Sequence, residues 1–490
     1  MIFCKIYLFF VIICISFGFQ PIDAQENHAH LESEFNELIS SPIYDNVDIG
    51  VLLYEISPRY QRVFRKNAFQ PLVPASILKV LITTAALHQL GPSYQFETII
   101  ATDGFQKGST LDGNLYIIGR GAPDITLSEL EDAVSQLYQK DIRTVKGNLI
   151  YDNSYFTKYP PKHPRIARYY DAPSGALTVN SNAVEFVLPD RQQLNLGILM
   201  LVPSPNTSYV KYNYRDLTID LKREDPGVPR IEWVPYAWGD DYYLTGVVGQ
   251  KDFDNHYLNV LVSRPGLYAA TIFREQCAKK GIEIKGEIQS GRWLQSMSDT
   301  ISIRSKPLDH FVKRLNQESN NVIAENLVQF LGRYVNENDR VITDSMAEGI
   351  QYLRGFCKTT LSINPLHFIL EDVSGLSMNN KFKAADFMKI LSFVHKDPIL
   401  YQSVQNSLIK QGVTQGFRFS KPPVSLNVFL KTGTLAFSGV NTMVGFIENS
   451  KMNKRYAFVI MANRQGAGEP AYKGTYTYPI LEWFYGIVKE

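Results

Sequence analysis

Hydrophobic and polar positions change their spacing along the chain, and these changes predict where helices and strands lie. From Val47 to Phe64 the alternation is typical of strands, and Pro74 then introduces a helix from about Ser76 to Leu90 that ends at Gly91. This helix is apolar nearly all round, which indicates burial. Residues 98–302 follow as short alternating runs separated by Gly, Pro and Asp turns, which predicts a β-rich region.

The pattern after residue 303 is helical again and gives way to strands near the C-terminus. One helix, Leu267 to Lys280, is predicted inside the β-rich region. Further helices are predicted at Leu308 to Leu315, Val322 to Phe330, Asp344 to Gly355, Ala384 to His395 and from about Tyr478. Strands are predicted at Phe429 to Thr434, Thr442 to Glu448 and Tyr456 to Ala462. This order predicts one mixed α/β (α+β) catalytic domain that is split in sequence by a β-rich insertion.

The first residues predict export. Lys5 precedes an apolar run from Ile6 to Phe19, and the small residue Ala24 follows, which is the pattern of a secretory signal peptide cleaved after Ala24. The alternative, an uncleaved membrane anchor, fits less well because the run is short for a spanning helix. No later stretch of the sequence could span a bilayer, so no stable membrane span is expected after cleavage.

Composition narrows the range of partners. The 50 basic and 48 acidic residues nearly balance at a net charge of +2, and no Lys/Arg block forms a footprint for nucleic acid. Cys4 and Cys14 would leave with the signal peptide, and Cys277 and Cys357 could then pair or stay as buried thiols. Because the eight histidines are scattered and the sequence has neither His-Glu-x-x-His nor Cys-x-x-Cys, no metal site is expected.

The helix that begins at Ser76 carries the first candidate chemistry. Ser76 and Lys79 are three residues apart, so they share a helix face and their side chains can come within hydrogen-bond reach. Apolar neighbours would favour the neutral amine of Lys79, and a neutral amine beside a serine is a base beside a nucleophile. The pattern alone has little specificity, because Ser407 to Lys410 repeats it.

A second short motif, Ser319-Asn320-Asn321, lies in the turn between two predicted helices. Short polar side chains in such a turn can project into a cleft. Other Ser-x-Asn tripeptides lie in loops without that framing, at Ser204 to Asn206, Ser377 to Asn379 and Ser425 to Asn427. The position of the motif therefore counts for more than its composition.

A third motif, Lys431-Thr432-Gly433, occurs once in the chain, at the end of an apolar strand. Strand alternation places Lys431 and Gly433 on one face and Thr432 and Thr434 on the other. Gly433 leaves room for another backbone or a ligand to approach closely. An ordinary solvated strand end would explain the tripeptide equally well if it stood alone.

Together, the three motifs occur in order on helix, turn and strand, which is the signature of penicillin-binding proteins and serine β-lactamases. The chain therefore resembles proteins with a β-lactamase/transpeptidase-like catalytic domain. The long gap between the first two motifs holds the whole insertion. This arrangement resembles the D-alanyl-D-alanine carboxypeptidase/endopeptidase family, the three-domain low-molecular-mass class C penicillin-binding proteins.

The resemblance covers most of the mature chain. Val73 to Leu90 looks like that family's nucleophile helix, Tyr170 to Asn180 like its insertion signature, and Asp372 to Ser377 also matches. There are two departures: Asn320 stands where the family often has Asp, and Gly121-Ala122-Pro123-Asp124 only approximates its usual Gly-Asp-Pro. The first is a variable middle position and the second lies outside the catalytic domain.

The resemblance implies a mechanism through an acyl-enzyme, without a cofactor. The implied catalytic residues are Ser76 as nucleophile, Lys79 as its base, Ser319 and Lys431 as a proton relay to the leaving nitrogen, and Asn321 as the holder of the substrate amide. The implied substrate-binding residues, along the strand edge, are Thr432, Gly433 and Thr434. Backbone N–H groups of Ser76 and Thr434 would form the oxyanion hole.

The resemblance also implies the partners and the alternatives. The expected substrates are peptidoglycan stem peptides in the periplasm, with β-lactams as inhibitors, and a homodimer is left open. One alternative is a serine β-lactamase, although the sequence has no Glu-x-x-Leu-Asn of the kind one β-lactamase class uses. Another is a catalytically silent peptidoglycan-binding homologue, against which the intact motifs argue.

The expected domain division follows from the position of the insertion. It is a signal peptide (1–24), an N-terminal segment of the catalytic domain (25–97), the insertion (98–302) and a C-terminal segment of the catalytic domain (303–490). Within the insertion, residues 98–180 and 251–302 would form domain II and residues 181–250 a nested domain III.

Overall fold

The protein is described by a computed structural model that covers residues 22–157, 169–187, 192, 202–220, 222, 230–249, 257–294, 301–335, 343–413, 421–466 and 468–489. Residues before Val47 form a unit of their own, which contains one helix and the short 3-10 turn Pro42–Tyr44. The predicted signal segment from Ile6 to Phe19 lies outside the described residues. Within the described part of the chain, no helix has the length and apolarity needed to cross a membrane.

Helices and strands of the described residues are numbered in chain order. The helices are α1 (Ile22–Ile39), α2 (Leu78–Leu90), α3 (Leu127–Gln139), α4 (Pro265–Lys280), α5 (Leu308–Gln317), α6 (Asn321–Val335), α7 (Ser345–Thr359), α8 (Ala384–Lys396), α9 (Pro398–Ser407) and α10 (Thr477–Val488). The strands are β1 (Val47–Ser57), β2 (Gln61–Lys66), β3 (Pro71–Leu72), β4 (Gln95–Thr102), β5 (Phe105–Lys107), β6 (Thr110–Asp112), β7 (Leu115–Gly119), β8 (Thr144–Val145), β9 (Leu149–Asp152), β10 (Ala183–Val187), β11 (Val202–Ser204), β12 (Val210–Asp220), β13 (Arg230–Tyr236), β14 (Gly239–Gly249), β15 (Tyr257–Leu261), β16 (Glu283–Ile284), β17 (Ile288–Ser290), β18 (Ile301–Pro307), β19 (Phe382–Lys383), β20 (Ile409–Lys410), β21 (Leu426–Leu435), β22 (Val440–Asn449) and β23 (Lys454–Arg464).

The central sheet joins the two ends of the unit that begins at Val47. Its order is β2-β1-β23-β22-β21-β20, with antiparallel neighbours throughout. β1 runs against β23 from the pair Val47 and Arg464 to the pair Ser57 and Arg455. β22 and β23 are buried at nearly every position because helices α8 and α10 pack against the sheet.

Helix α2 lies in the interior, as its apolar sequence predicts. Every residue from Leu78 to Leu87 is buried, and the helix packs against α5, α6, α8 and α9. Its polar members are satisfied locally: Thr84 Oγ1 donates to the carbonyl of Val80 at 2.7 Å, and Thr83 Oγ1 accepts from Asn316 Nδ2 at 2.9 Å. Burial on all sides fixes the helix firmly, and with it the residues at its start.

The region between β4 and β18 is built largely from small sheets. The two strands are antiparallel neighbours in the order β17-β9-β7-β4-β18, so the chain enters and leaves this region side by side. Other sheets have the orders β16-β8-β6-β5, β11-β10-β15 and β12-β14-β13. Helix α3 was not predicted here, although Thr126 and Glu129 form a capping box at its start.

Most predicted elements agree with the structure, and the mixed fold class is confirmed. The predicted C-terminal strands correspond to β21, β22 and β23, and the predicted helices to α4 to α8 and α10, with boundaries that differ by a few residues. Helix α9 was missed. Cys277 and Cys357 are buried free thiols, which selects one of the two alternatives left open for them.

Candidate active site

The serine and lysine of the first motif lie together at the start of α2. Ser76 is in a 3-10 turn, Ala75–Ile77, that leads into the helix. Lys79 Nζ lies 3.2 Å from Ser76 Oγ, and the lysine side chain is fully buried. The residue before the serine, Ala75, has a φ of 48°, a backbone conformation that non-glycine residues adopt at a cost and that is frequent at functional sites.

A backbone carbonyl completes the environment of the Lys79 amine. Lys79 Nζ donates to the carbonyl of Ser374 at 2.5 Å. The loop that carries this carbonyl is held by Asp372, whose carboxylate accepts from Ser374 Oγ at 2.5 Å and from Gly375 N at 3.1 Å. Asn380, fully buried, also donates to the Asp372 carboxylate at 2.5 Å. The Lys79 amine thus lies between a fixed carbonyl and the Ser76 hydroxyl, and it donates to both.

Two glycines allow the chain to approach the Ala75-Ser76 peptide from both sides. A Cβ at Gly375, whose φ is 86°, would lie 2.3 Å from the carbonyl oxygen of Ala75. A Cβ at Gly433 would lie 2.8 Å from the backbone nitrogen of Ser76. On β22, Thr442 Oγ1 donates to the carbonyl of Pro74 at 2.7 Å. The Ala75–Ile77 turn is therefore held between the Asp372 loop and the central sheet.

The third motif brings a second buried lysine to the same place. Lys431 is 1% exposed, and its Nζ donates to the carbonyl of Thr432 at 2.9 Å. Burial, together with the positive charges of Lys79 and Lys473, holds the pKa of Lys431 well below its usual range. Partial enclosure lowers the pKa of Lys473 itself to about 8. The lowered pKa favours the neutral amine of Lys431, which can then exchange a proton with a bound ligand.

The second motif forms the turn between α5 and α6. Ser319 has a φ of 58°, and Asn321, which is 5% exposed, is the first residue of α6. Helix α6 packs against α2, and Asn316, at the end of α5, donates to Thr83 of α2. Asn321 Nδ2 donates to the carbonyl of Tyr170, in the region between β4 and β18, at 2.9 Å. The turn is thus connected to α2 on one side and to the region between β4 and β18 on the other.

Beyond the motif lysine, β21 presents an edge to the cleft. On the side away from β22, the described partner β20 pairs only with Phe429 and Leu430. Within the described residues, the backbone from Lys431 to Leu435 therefore has no strand partner on that side. Thr432 is buried and Thr434 half-buried. An unpaired edge can accept an extended peptide as an added strand.

The repeated Ser-x-x-Lys at Ser407 to Lys410 has no such geometry. Ser407 closes helix α9 and its Oγ donates to the carbonyl of Val404 at 2.6 Å. Lys410 lies on β20, with its Nζ over the ring of Phe429. The two side chains are engaged in separate structural contacts, which distinguishes this copy from the one at Ser76.

Sequence reasoning missed several residues of the site. The Ser374 carbonyl has no side-chain signal, because any residue could supply a backbone acceptor. Asp372 lay in a matched segment but received no role, although an Asp-x-Ser-Gly turn is a place where a carboxylate caps backbone N–H groups. Lys473 lies outside every motif, in the loop between β23 and α10, and no local pattern predicts its proximity to Lys431.

In the described residues, a serine lies one helical turn from a buried lysine, beside a six-stranded antiparallel sheet that helices cover. This arrangement defines the class of penicillin-binding proteins and serine β-lactamases. Within that class the chain belongs to the D-Ala-D-Ala carboxypeptidase 3 (S13) family, which matches residues 32–476. The predicted enzyme class, a serine-type D-Ala-D-Ala carboxypeptidase, is confirmed by this membership and by the relatives.

Two relatives carry that activity in their names. The D-alanyl-D-alanine carboxypeptidase DacB of Haemophilus influenzae is 24% identical over 446 residues, which cover 88% of each chain. The D-alanyl-D-alanine carboxypeptidase of Actinomadura sp. (strain R39) is 23% identical over 470 residues, which cover 90% of this chain and 82% of the relative.

Solved structures show the same fold. Penicillin binding protein 4 (dacB) from H. influenzae matches with a TM-score of 0.72 at 23% identity, over 93% of this chain and 99% of that one. The same protein complexed with a novel β-lactam matches with a TM-score of 0.67 at 22% identity, over 92% and 98% of the two chains.

Proposed function

We propose that Ser76 is the nucleophile of this carboxypeptidase and that Lys79 is its base. The observation that carries the proposal is the position of the Lys79 amine between Ser76 Oγ at 3.2 Å and the Ser374 carbonyl at 2.5 Å, in a fully buried site. A neutral amine can donate to the carbonyl and accept the serine proton at the same time. The serine oxygen then attacks the carbonyl of the penultimate D-alanine and forms an acyl-enzyme.

The leaving group requires a proton, and the remaining motif residues would supply it. Ser319 and Lys431 relay that proton to the departing nitrogen, while Asn321 holds the substrate amide. A lysine whose pKa is well below its usual range gives up a proton near neutral pH more readily than an exposed one. Water then releases the acyl group and restores Ser76.

The oxyanion and the peptide would be held by β21 and the nucleophile turn. Backbone N–H groups of Ser76 and Thr434 stabilise the developing negative charge, at about 3 kcal/mol per donor. The close approach of Gly433 to Ser76 N supports this arrangement. The substrate lies extended along the edge of β21, in contact with Thr432, Gly433 and Thr434.

The substrates proposed for this chain are peptidoglycan stem peptides that end in D-alanyl-D-alanine, including cross-linked ones. A β-lactam would acylate Ser76 because its strained amide resembles that bond and its amine stays attached. The β-lactam complex of the H. influenzae protein supports this proposal. Such substrates lie outside the cytoplasm, so we also propose cleavage after Ala24 and export to the periplasm.

We further propose the division into an N-terminal catalytic segment (25–97), the insertion (98–302) and a C-terminal catalytic segment (303–490). The adjacency of β4 and β18 supports an insertion that begins and ends at one place. The pairing of β1 with β23 supports a catalytic domain assembled from both ends of the chain.

The nucleophile is tested by Ser76→Ala. Purified variants are incubated with a fluorescent penicillin and with a D-alanyl-D-alanine peptide, and labelling and D-alanine release are measured. We expect Ser76→Ala to lose both. The control, Ser450→Ala, changes an exposed serine in the turn between β22 and β23 and should keep both.

Each departure from that result has a defined meaning. Covalent labelling of Ser76→Ala would rule out Ser76 as the nucleophile. Labelling of the unmodified enzyme that disappears within seconds, with release of hydrolysed penicillin, would instead favour a β-lactamase. Intact and cross-linked muropeptides, compared as substrates, give the balance of carboxypeptidase and endopeptidase activity.

A further inference from the structure

A buried ion pair joins the insertion to the helix before the second motif. Asp124, in the loop after β7, has a side chain that is 4% exposed. Arg314, in the last turn of α5, places Nη1 2.6 Å from Asp124 Oδ2. A buried carboxylate is costly to keep unless it is paired and hydrogen-bonded, so this contact is unlike an exposed surface pair.

The insertion residue Ser181 shares both partners of this ion pair. Its backbone nitrogen donates to Asp124 Oδ1 at 2.8 Å, and its hydroxyl donates to Asp124 Oδ2 at 3.1 Å. The same hydroxyl oxygen accepts from Arg314 Nη2 at 3.1 Å and from Asn320 Nδ2 at 3.1 Å. One donor and two acceptor positions are thereby used, which is the full capacity of a serine hydroxyl.

The middle residue of the second motif, Asn320, connects this cluster to the catalytic turn. Its Oδ1 accepts from the backbone nitrogen of Ile323 at 3.0 Å, in the first turn of α6. The side chain thus links Ser181 with the start of the helix on which Asn321 lies. Asn320 is 8% exposed, so the link is shielded from water.

Both backbone segments that meet here adopt left-handed conformations. Asn180, Ser181 and Asn182 each have a φ of 52°, and Ser319 has a φ of 58°. Non-glycine residues hold such conformations only where surrounding contacts over-determine them. Asp124 and Arg314 both hydrogen-bond Ser181, and Arg314 also binds Glu318, the residue before Ser319.

We propose that Arg314 and Asp124 are positioning residues for catalysis, which fix the Ser319 to Asn321 turn against the insertion. The proposal rests on the proposed roles of Ser319 and Asn321 and extends them. It makes the insertion a working part of the active site, because two of the residues that hold the turn, Asp124 and Ser181, belong to it.

A second set of buried contacts, made by Asn326, also holds α6 against the insertion. Asn326, one helical turn after the motif and fully buried, donates to the carbonyl of Pro123 at 3.1 Å and to Thr178 Oγ1 at 2.9 Å. Its Oδ1 accepts from the backbone nitrogen of Gly175 at 3.0 Å. Helix α6 is therefore held against the insertion along its first two turns by buried polar contacts.

The test measures acylation per competent site. Four variants are titrated with fluorescent penicillin to count their active sites: Arg314→Gln, Arg314→Lys, Asp124→Asn and the double variant Asp124→Asn/Arg314→Gln. The second-order rate of acylation is then divided by that count. We expect Arg314→Gln to lower the rate per site by about 10- to 100-fold, as displacement of a reacting group by an ångström does.

The other variants separate charge from geometry. Arg314→Lys keeps the charge but cannot bridge Asp124 and Ser181 with one planar fork, so its rate should be intermediate. The double variant leaves no buried unpaired charge and should recover part of the loss of Arg314→Gln. The control is Lys146→Gln, which breaks an exposed pair with Asp112 in the same insertion and should keep the rate.

The outcomes distinguish positioning from stability and from failure of the proposed function. If the Arg314 variants lose active sites or Tm but acylate at the original rate per site, their role is only structural and the inference is overturned. If Ser76→Ala, assayed in parallel, is still labelled, the proposed function fails first. An unlabelled Ser76→Ala beside Arg314 variants of unchanged rate would overturn the positioning role alone.

Discussion

The substitution Gly433→Ala tests how closely β21 must approach Ser76, the proposed nucleophile. A methyl group at this position would lie 2.3 Å from Thr442 Oγ1, 2.8 Å from Ser76 N and 3.0 Å from Ala75 Cβ. Non-bonded carbon contacts are comfortable at about 3.5 to 4.0 Å, so the strand and the nucleophile turn must separate by roughly 0.5 to 1 Å. The backbone of Gly433 is not in the left-handed region, so the effect is steric.

Two consequences of that displacement can be measured. Overpacking should lower the free energy of unfolding by about 1–3 kcal/mol. Movement of Ser76 N away from the oxyanion should slow acylation by about 100- to 1,000-fold, the usual cost of one oxyanion donor. The assays are thermal or urea unfolding and the rate of labelling by fluorescent penicillin, normalised to folded protein.

The matched control is Gly355→Ala. Gly355 lies inside α7, and no atom lies within 4 Å of an added methyl group. This variant should acylate at the original rate and be more stable by up to about 1 kcal/mol, because alanine favours a helix over glycine. Folded Gly433→Ala that acylates as fast as the control would refute the proposed oxyanion geometry.

Three further outcomes are expected. Lys79→Met removes the proposed base but keeps an apolar side chain of similar length. The rate of acylation should therefore fall by about 100- to 10,000-fold without a lower Tm. A loss of rate under tenfold would contradict the role of Lys79. Burial is the main cause of the lowered pKa of Lys431, and the positive charge of Lys473 adds to it. Lys473→Gln should therefore raise the pKa of Lys431 and move the alkaline limb of the pH profile of acylation to higher pH. An unmoved limb would contradict this. Burial raises the pKa of Cys277 and Cys357 to about 12, so a thiol reagent at about pH 8 should modify them, as counted by mass spectrometry, only after unfolding.

The sequence predicted those residues of the site that have local signals. A helix, a turn and a strand could be assigned because their apolar spacing is regular, and three short motifs then fell on the ends of those elements. Even so, α3 and α9 were missed. Their start signals were present, a Thr126 to Glu129 capping box and an Asp397 cap before Pro398. The stretch that forms α3 was instead assigned to the β-rich region, and no element was predicted between His395 and Phe429.

The remaining site residues depend on tertiary contacts that no local pattern contains. The Ser374 carbonyl reaches Lys79 across nearly three hundred positions of sequence, and a backbone acceptor leaves no trace in residue type. Asp124 and Arg314 form an ion pair 190 residues apart. The loop of Asp124 was noted only as a departure from a family pattern, and Arg314 was one arginine on an ordinary amphipathic helix.

Because β1 pairs with β23, the active site can form only after the end of the chain has been synthesised. Ser76 is synthesised early. The segment just before it is held by two later residues: Thr442 binds the carbonyl of Pro74, and Asn463 binds the backbone of Val73. Both residues belong to the last two strands of the sheet. A nascent chain that still lacks these strands carries Ser76, the proposed nucleophile, without the contacts that hold the segment before it. We therefore expect hydrolysis only from molecules in which the last two strands of the sheet have folded onto the first.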